Sequence, residues 1–251
     1  MQRIFILIIF LLTLSNAQAA ESFPLTELKQ KAGHIHGIAV KPDDPLQLYV
    51  ATHHGLYTAS MDGMVAAVSD AKHDFMSFAV HPTETKLLYG SGHPAGGGNL
   101  GFIGSTDSGK TWRQISPGVK GPVDFHAMTV STAGPKVIYG IHGGLQVSRD
   151  GGLTWELVGP LPKKTIDLAA SGTAVETLYT GTAEGLLVSR DGGKSWQSAY
   201  PSKNPAPLVE AEQNGVIYAF IVGVGLLKYQ DNQWTRLSKR LRSRILFTSG
   251  S

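Results

Sequence analysis

Histidine is the residue type with the clearest chemical pattern in this chain. Nine histidines occur among 251 residues and cysteine is absent, so a transition-metal site has only imidazole and carboxylate ligands to use. Most of the histidines recur at corresponding positions of a sequence repeat. The recurring candidates are His36, His53, His93, His126 and His142, with His34, Asp74 and Asp124 at the edge of the group.

The repeat that aligns these residues has a period of about 40 residues. Each unit contains a short apolar strand, a strand with a central tyrosine, and in most units a Gly-Leu step before a turn. The tyrosines follow one another at intervals of 40, 50, 40 and 39 residues, so five units can be counted. Short strands at this period predict an all-β propeller of four-stranded blades, with a sixth blade missing or incomplete.

A propeller would bring the histidines to one place. The innermost strand of each blade starts at the face where the second strand ends, and the histidines occupy these two positions. We therefore predict that they crowd one mouth of the central channel. Imidazole and carboxylate together suit Zn or Cu. A polar pocket for a small anionic or sugar ligand, and a docking surface for a partner chain, remain alternatives.

A second motif recurs in three units. It has the form Ser-x-Asp-x-Gly-x-x-Trp, in which aspartate accepts hydrogen bonds from its own turn and glycine adopts positive φ. Tryptophan covers the hairpin. These residue types predict a structural turn and not a catalytic site. The aspartates and tryptophans are Asp107 and Trp112, Asp150 and Trp155, and Asp191 and Trp196.

This motif resembles the Asp-box, or bacterial neuraminidase repeat, of Asp-box β-propellers. The family includes sialidases, sortilin-type receptors and photosystem assembly factors, so the resemblance implies the fold but does not choose a function. It also implies that the boxes lie between the third and fourth strands of a blade, away from the usual ligand face.

Sialidase activity is not expected. Sialidases of this fold bind the substrate carboxylate with three arginines, one of them in an Arg-Ile-Pro motif that this chain lacks. Apart from Arg3 in the N-terminal leader, its arginines lie in or beside the Asp-boxes or in the C-terminal tail. A glycoside hydrolase-like enzyme remains the competing function, with Asp74 and Asp124 as a carboxylate pair. The favoured expectation is a non-enzymatic binding module for a metal, a small molecule or glycan, or a protein.

The two ends of the chain differ in character from the repeats. Residues 1–19 form a predicted secretory signal, with Arg3, an apolar run and an Ala17-Gln18-Ala19 cleavage site. The expected divisions are an N-terminal segment at 20–33, the propeller at 34–238, and a basic tail or closing strand at 239–251. The mature protein is expected to be periplasmic or secreted, monomeric and without a membrane span.

Charge argues against a nucleic-acid partner. Arg3 and four residues of the last thirteen account for five of the 22 basic groups, which leaves 17 basic against 19 acidic residues in the body of the chain. A nucleic-acid-binding protein needs a basic surface on the folded body. The remaining unusual segment, the glycine-rich insert around Pro94 to Gly101, is predicted to form a lid over the mouth that His93 enters.

Overall fold

Short strands joined by tight turns build almost the whole described chain. The computed structural model describes residues 22–238, so the predicted signal at 1–19 and the predicted tail at 239–251 lie outside the described residues. The described chain forms five antiparallel sheets and one five-residue helix. The predicted all-β propeller with five blades is therefore confirmed.

Each blade follows the chain order from its inner to its outer strand. Blade 1 adds an N-terminal strand, β1 (Ser22–Pro24), outside β5, and a helix, α1 (Leu28–Ala32), lies between β1 and β2 in sequence. The strands of blade 1 are β2 (Ile35–Lys41), β3 (Asp44–Thr52), β4 (Gly55–Ser60) and β5 (Met64–Ala67). Those of blade 2 are β6 (Asp74–Val80), β7 (Leu88–His93), β8 (Phe102–Ser105) and β9 (Arg113–Ser116).

The other three blades have the same arrangement with shorter strands. Blade 3 contains β10 (Met128–Val130), β11 (Ile138–Ile141), β12 (Leu145–Ser148) and β13 (Glu156–Gly159). Blade 4 contains β14 (Thr165–Ala170), β15 (Leu178–Thr182), β16 (Gly185–Ser189) and β17 (Gln197–Ser198). Blade 5 contains β18 (Leu208–Ala211), β19 (Ile217–Ile221), β20 (Gly225–Gln230) and β21 (Gln233–Arg236).

Apolar side chains are buried mainly between neighbouring blades. Four buried clusters join blades 1 and 2, 2 and 3, 3 and 4, and 4 and 5. A fifth cluster covers the face of blade 1 turned away from blade 2, where Phe23 of β1 and Leu28 of α1 pack on Val50 and Tyr57. The segment predicted at 20–33 as separate from the propeller thus contributes a strand and a helix to blade 1.

The Asp-boxes are turns between the third and fourth strands of blades 2, 3 and 4. In the blade 3 box the Ser148 hydroxyl donates to Asp150 Oδ1 at 2.8 Å and accepts from the Gly152 amide at 2.8 Å. The hydroxyl and amide of Thr154 donate to the same carboxylate and lower the pKa of Asp150 to about 2. These carboxylates are therefore engaged by their own turns.

Candidate functional site

The innermost strands of all five blades line a central channel with a volume of 760 Å³. Its wall carries both apolar and polar surface, and its lining histidines are His36, His81 and His126. His36 and His126 lie at the mouth where the inner strands begin, whereas His81 follows the end of β6. The Asp-boxes lie at the opposite end, because the third strand of each blade runs away from this mouth. Among the described residues, the structure thus separates the histidine group from the boxes.

The first part of the histidine group joins blades 1 and 2. His36 lies on β2, His53 follows β3, and Asp74 begins β6. The two imidazoles approach at 3.2 Å between their Nε2 atoms, and His53 Nδ1 lies 2.7 Å from Asp74 Oδ1. One ligand atom from each of the three residues lies within 4.8 Å of the others, and all three are half-buried. His34 lies beside the same centre, with its ring tilted by 44° to that of His53 and the ring centroids 5.3 Å apart.

The hydrogen bond to Asp74 fixes the tautomer of His53. A carboxylate oxygen only accepts, so His53 Nδ1 carries the hydrogen and Nε2 presents its lone pair to His36. A carboxylate that holds the remote nitrogen of a metal-binding histidine is the usual support of such a ligand. The pair His53–Asp74 therefore has the orientation that a metal site requires.

The electrostatic environment keeps His36 uncharged. Burial lowers the pKa of His36 below its ordinary value, and the neighbouring His53 lowers it further, against the opposing effect of Asp74. His34 and His126 also lower this pKa, which shows that both lie within electrostatic range of His36. A neutral imidazole is the form that coordinates a metal ion.

The second part of the group joins blades 2 and 3. His93 ends β7, and Asp124 and His126 precede β10. The Nε2 atoms of His93 and His126 lie 3.2 and 3.1 Å from Asp124 Oδ2. His142 differs from the other candidates, because its Nδ1 contacts the backbone of Asp124, at 2.8 Å from the carbonyl oxygen. The structure therefore divides the predicted group into two clusters at one mouth.

Buried phenylalanines hold the two aspartates in place. Phe75 and Phe125 directly follow Asp74 and Asp124 and are fully buried. Each ring packs against a glycine on the next strand, since a Cβ at Gly140 would lie 2.6 Å from Phe125 Cδ1. Gly90 has the same relation to Phe75 at 3.0 Å. The Tyr-Gly step of the repeat thus makes room for the aromatic anchor beside each carboxylate.

The histidines predicted to lie outside the cluster have separate environments. His54 is exposed and contacts the Lys31 carbonyl oxygen, and His73 packs edge-on against Phe75. His81 directly precedes a proline, a position typical of an exposed turn, but its side chain is buried. Its Nδ1 accepts hydrogen bonds from the Thr83 and Glu84 amides of the turn that follows.

Two carboxylates that line the channel were not among the residues predicted from the sequence. Asp167 on β14 and Glu210 on β18 both line the channel. Desolvation raises the pKa of both carboxyls, and the charge of Asp167 raises that of Glu210 further. Asp167 also accepts the Val209 amide at 2.9 Å and so links blades 4 and 5. The available signal was an acidic residue inside each of two otherwise apolar innermost strands.

The glycine-rich insert is closed on itself beside the second cluster. Leu100 donates its amide to the Gly92 carbonyl oxygen at 2.8 Å, and Asn99 donates from its side chain to the Pro122 carbonyl oxygen at 3.0 Å. His93 Nδ1 lies 2.8 Å from the Gly98 carbonyl oxygen. The insert thus contacts the segment that carries Asp124. Within residues 22–238, no helix has the length and apolar character needed to cross a membrane.

Comparison with known proteins supports the repeat and the fold. A sequence profile described as BNR/Asp-box repeat matches residues 146–157, the box of blade 3. No curated protein matches the chain. Several solved propellers are similar in structure, and their identities of 11–18% show the fold alone.

One is a GH74 enzyme from Niastella koreensis, with 18% identity and a TM-score of 0.59 over 81% of this chain and 37% of that one. Another is a GH74 xyloglucanase from Xanthomonas campestris, with 16% identity and a TM-score of 0.51 over 80% of this chain and 38% of that one. This chain spans just over a third of the length of either. A gluconolactonase from Xanthomonas campestris has 11% identity and a TM-score of 0.58, over 77% of this chain and 71% of that one.

Proposed function

We propose that this protein is an exported binding module, periplasmic or secreted, whose histidine-rich mouth binds a transition-metal ion through His36 and His53, with Asp74 holding the remote nitrogen of His53. The observation that carries the proposal is the 3.2 Å approach of two imidazole Nε2 atoms, one of them fixed by a carboxylate. Two nitrogen ligands on a tetrahedral Zn²⁺ lie about 3.3 Å apart. Two histidine ligands leave two positions of a tetrahedral ion for water or for ligand atoms.

Zn²⁺ fits this geometry better than Cu²⁺. Adjacent ligands of a square-planar Cu²⁺ lie about 2.8 Å apart, closer than the two nitrogens observed here. Since Cu²⁺ generally binds nitrogen and oxygen ligands more tightly than Zn²⁺, affinity alone does not identify the ion. The coordination geometry is therefore the property to measure beside the affinity.

The test is a calorimetric titration of the full chain, produced without a histidine tag, with Zn²⁺ and then with Cu²⁺. The double variant His36→Ala/His53→Ala is expected to lose one bound ion per chain. His54→Ala is the matched control, because this exposed imidazole directly follows His53 and lies outside the cluster. Equal binding by the double variant and the wild type would contradict the proposal.

The competing function is carbohydrate or lactone hydrolysis with Asp74 and Asp124 as the carboxylates. It has less support, because both carboxylates contact imidazoles and the likeness to hydrolases is one of fold. Sialidase activity has less support still, since Arg149 pairs with Glu156 and Glu176 at a box. Assays with xyloglucan and gluconolactone test the alternative. An enzyme would be favoured over a metal-binding module if turnover is observed, if Asp74→Asn abolishes it, and if a metal chelator leaves it unchanged.

A further inference from the structure

The central channel contains apolar surface that the rest of the described chain leaves accessible. Ile38 of β2, Ile166 of β14 and Leu208 of β18 line it and are 61%, 45% and 45% exposed. The channel volume of 760 Å³ lies within the range of about 300–1,000 Å³ that small-molecule sites occupy. Apolar surface that meets water inside such a cavity is stabilised when an apolar group replaces the water. The channel therefore favours a ligand with an apolar part.

The same channel carries two carboxylates and no balancing base. Asp167 and Glu210 line it from β14 and β18, the inner strands of neighbouring blades, and none of the described lining residues is a lysine or an arginine. Asp167 is held by backbone, since the amides of Leu168 and Val209 each donate to its carboxylate at 2.9 Å. Carboxylates surrounded by protein are costly without a partner of opposite charge. The charge of the wall thus opposes an anionic ligand and favours a cationic one.

The two carboxylates also act on each other. The charge of Asp167 raises the pKa of Glu210, so the two groups lie within electrostatic range. Desolvation raises the pKa of both carboxyls, and backbone hydrogen bonds alone act in the opposite direction. A cation between two carboxylates offsets both their mutual repulsion and the cost of their desolvation.

A buried hydroxyl in the wall lacks a partner. Ser77 of β6 lines the channel and is 3% exposed, and its Oγ has no hydrogen-bond partner among the described residues. Ser77 pairs with Ser91 and Asp167 pairs with Gly181, each two residues past the tyrosine of its repeat. The hydroxyl of blade 2 and the carboxylate of blade 4 therefore occupy the same register position. A ligand that donates hydrogen bonds is the partner that this hydroxyl lacks.

We infer that the channel binds a primary organic ammonium ion with an apolar chain, whose cationic group is held by Asp167 and Glu210. An ammonium group has three donors, which equal in number the two carboxylates and the hydroxyl of Ser77. A bare metal ion or free ammonium fits less well, because it leaves the apolar part of the wall in water. The site uses neither of the proposed metal-binding histidines and does not depend on the metal.

The test is a calorimetric titration of the full chain with n-hexylammonium, in a buffer that contains no other amine. n-Hexanol and n-hexanoate are the matched probes, because they carry a neutral or a negative group on the same chain. We expect both to bind at least about tenfold more weakly than n-hexylammonium, as expected for the loss of a charged hydrogen bond. n-Butylammonium should also bind more weakly, by up to about fourfold for each methylene removed.

Glu210→Gln is the principal variant, because it removes the charge and nearly keeps the size of a side chain that is exposed within the channel. Glu212→Gln is the matched control, since Glu212 directly follows the same strand, is also exposed and is not a lining residue. We expect the first variant to weaken n-hexylammonium binding at least about tenfold and the second to leave it unchanged. Asp167→Asn removes an acceptor of a backbone amide, so its melting temperature is measured too, and it is expected to match Glu210→Gln.

The outcomes decide between this site and the proposed metal site. No binding of n-hexylammonium to the wild type, equal binding of n-hexanoate or n-butylammonium, or equal binding by Glu210→Gln and the wild type would overturn the inference. The probe comparison uses the wild type alone, so it decides the inference even where a variant does not fold. Titrations with and without EDTA should agree. Amine binding that EDTA removes would place the amine on a metal ion, which overturns this inference and supports the metal site.

Discussion

The protonation of His36 controls how metal binding at the proposed His36–His53 site responds to pH. Burial and the neighbouring His53 lower the pKa of His36, so its proton leaves more readily than from an ordinary histidine. A metal ion at this nitrogen therefore competes with fewer protons, and binding should persist below the ordinary histidine pKa of about 6.5. The lowered pKa of His36 therefore extends metal binding toward lower pH.

This effect predicts the pH profile of Zn²⁺ binding. Between pH 6.5 and 5.5 an imidazole with the ordinary pKa of about 6.5 weakens metal binding about fivefold, so two such imidazoles would weaken it about 30-fold. Because the pKa of His36 is lowered, we expect the Kd of this site to rise by clearly less than about 30-fold over that interval. Titration calorimetry at each pH measures the Kd. A weakening of about 30-fold or more between pH 6.5 and 5.5 would show that His36 titrates as an ordinary histidine and would contradict the prediction.

The sequence predicted the location of the histidines better than their partners. Alignment of the repeats placed His36, His53, His93 and His126 at one mouth because strand order in a blade decides which strand ends meet. It did not indicate that Asp124 would be buried or that His142 would contact backbone. Those outcomes depend on the path of the loop before β10, which hydrogen bonds to the neighbouring blade determine.

At the scale of elements, the Asp-box joins blades as well as closing a turn. The glycine four residues after the serine of each box abuts a large side chain of the preceding blade, so a Cβ at Gly152 would lie 2.0 Å from Phe102 Cε1. Gly109 and Gly193 have the same relation to Leu56 and Leu145. Trp155 adds to the contact by donating from Nε1 to Ser116 Oγ of blade 2 at 2.9 Å.

The interblade contact predicts different effects for two neighbouring glycines. Gly151 and Gly152 both have positive φ, at 79° and 90°, but a Cβ at Gly151 meets nothing within 4 Å. Gly151→Ala reports the backbone strain, and Gly152→Ala adds the clash with Phe102. We expect Gly152→Ala to lower the free energy of unfolding by about 1–3 kcal/mol more than Gly151→Ala, as overpacking does.

Urea denaturation monitored by tryptophan fluorescence measures this difference, with the slope of the transition checked for two-state behaviour. Equal losses in the two variants would mean that the blades separate readily at this position and that the box acts as a turn alone. The box motif was visible in the sequence, but its interblade role was not, because the contacted Phe102 lies in another repeat unit.

At the scale of the whole molecule, the ring is less uniform than its five repeats suggest. The inner strands of successive blades pack extensively from β2 through β6, β10 and β14 to β18. Within residues 22–238 no comparable contact joins β18 to β2, and no buried apolar cluster joins blades 5 and 1. On blade 1, Ile38 of β2 is 61% exposed. Blade 5 reaches blade 2 instead, where Gln213 donates to the Pro82 carbonyl oxygen at 3.2 Å.

Ring closure was the part of the fold that the sequence could not determine. Each repeat specifies its own hairpins through local turns, but the contact between the first and last blades joins residues that no repeat relates. The N-terminal strand β1 pairs with β5 on the outer edge of blade 1. The closing strand predicted within the tail at 239–251 lies outside the described residues. Within the described residues, blades 1 and 5 thus each pack extensively against a neighbouring blade on one side only.

This asymmetry predicts where bound metal changes local stability. The proposed ion is held by His36 and His53 of blade 1, and the contact between His53 and Asp74 ties it to blade 2. It has no ligand on blades 4 and 5. Binding to the folded state at 100 times Kd contributes about 2.7 kcal/mol, which slows amide exchange through the linked openings about 100-fold. Hydrogen exchange with and without Zn²⁺ should therefore show slower exchange in β2, β3 and β6 and little change in β19 and β20. His36→Ala should abolish the protection of β2, whereas His54→Ala should leave it in place. Uniform protection of all five blades would mean that the metal stabilises the ring as one unit and would contradict a site confined to the mouth of blades 1 and 2.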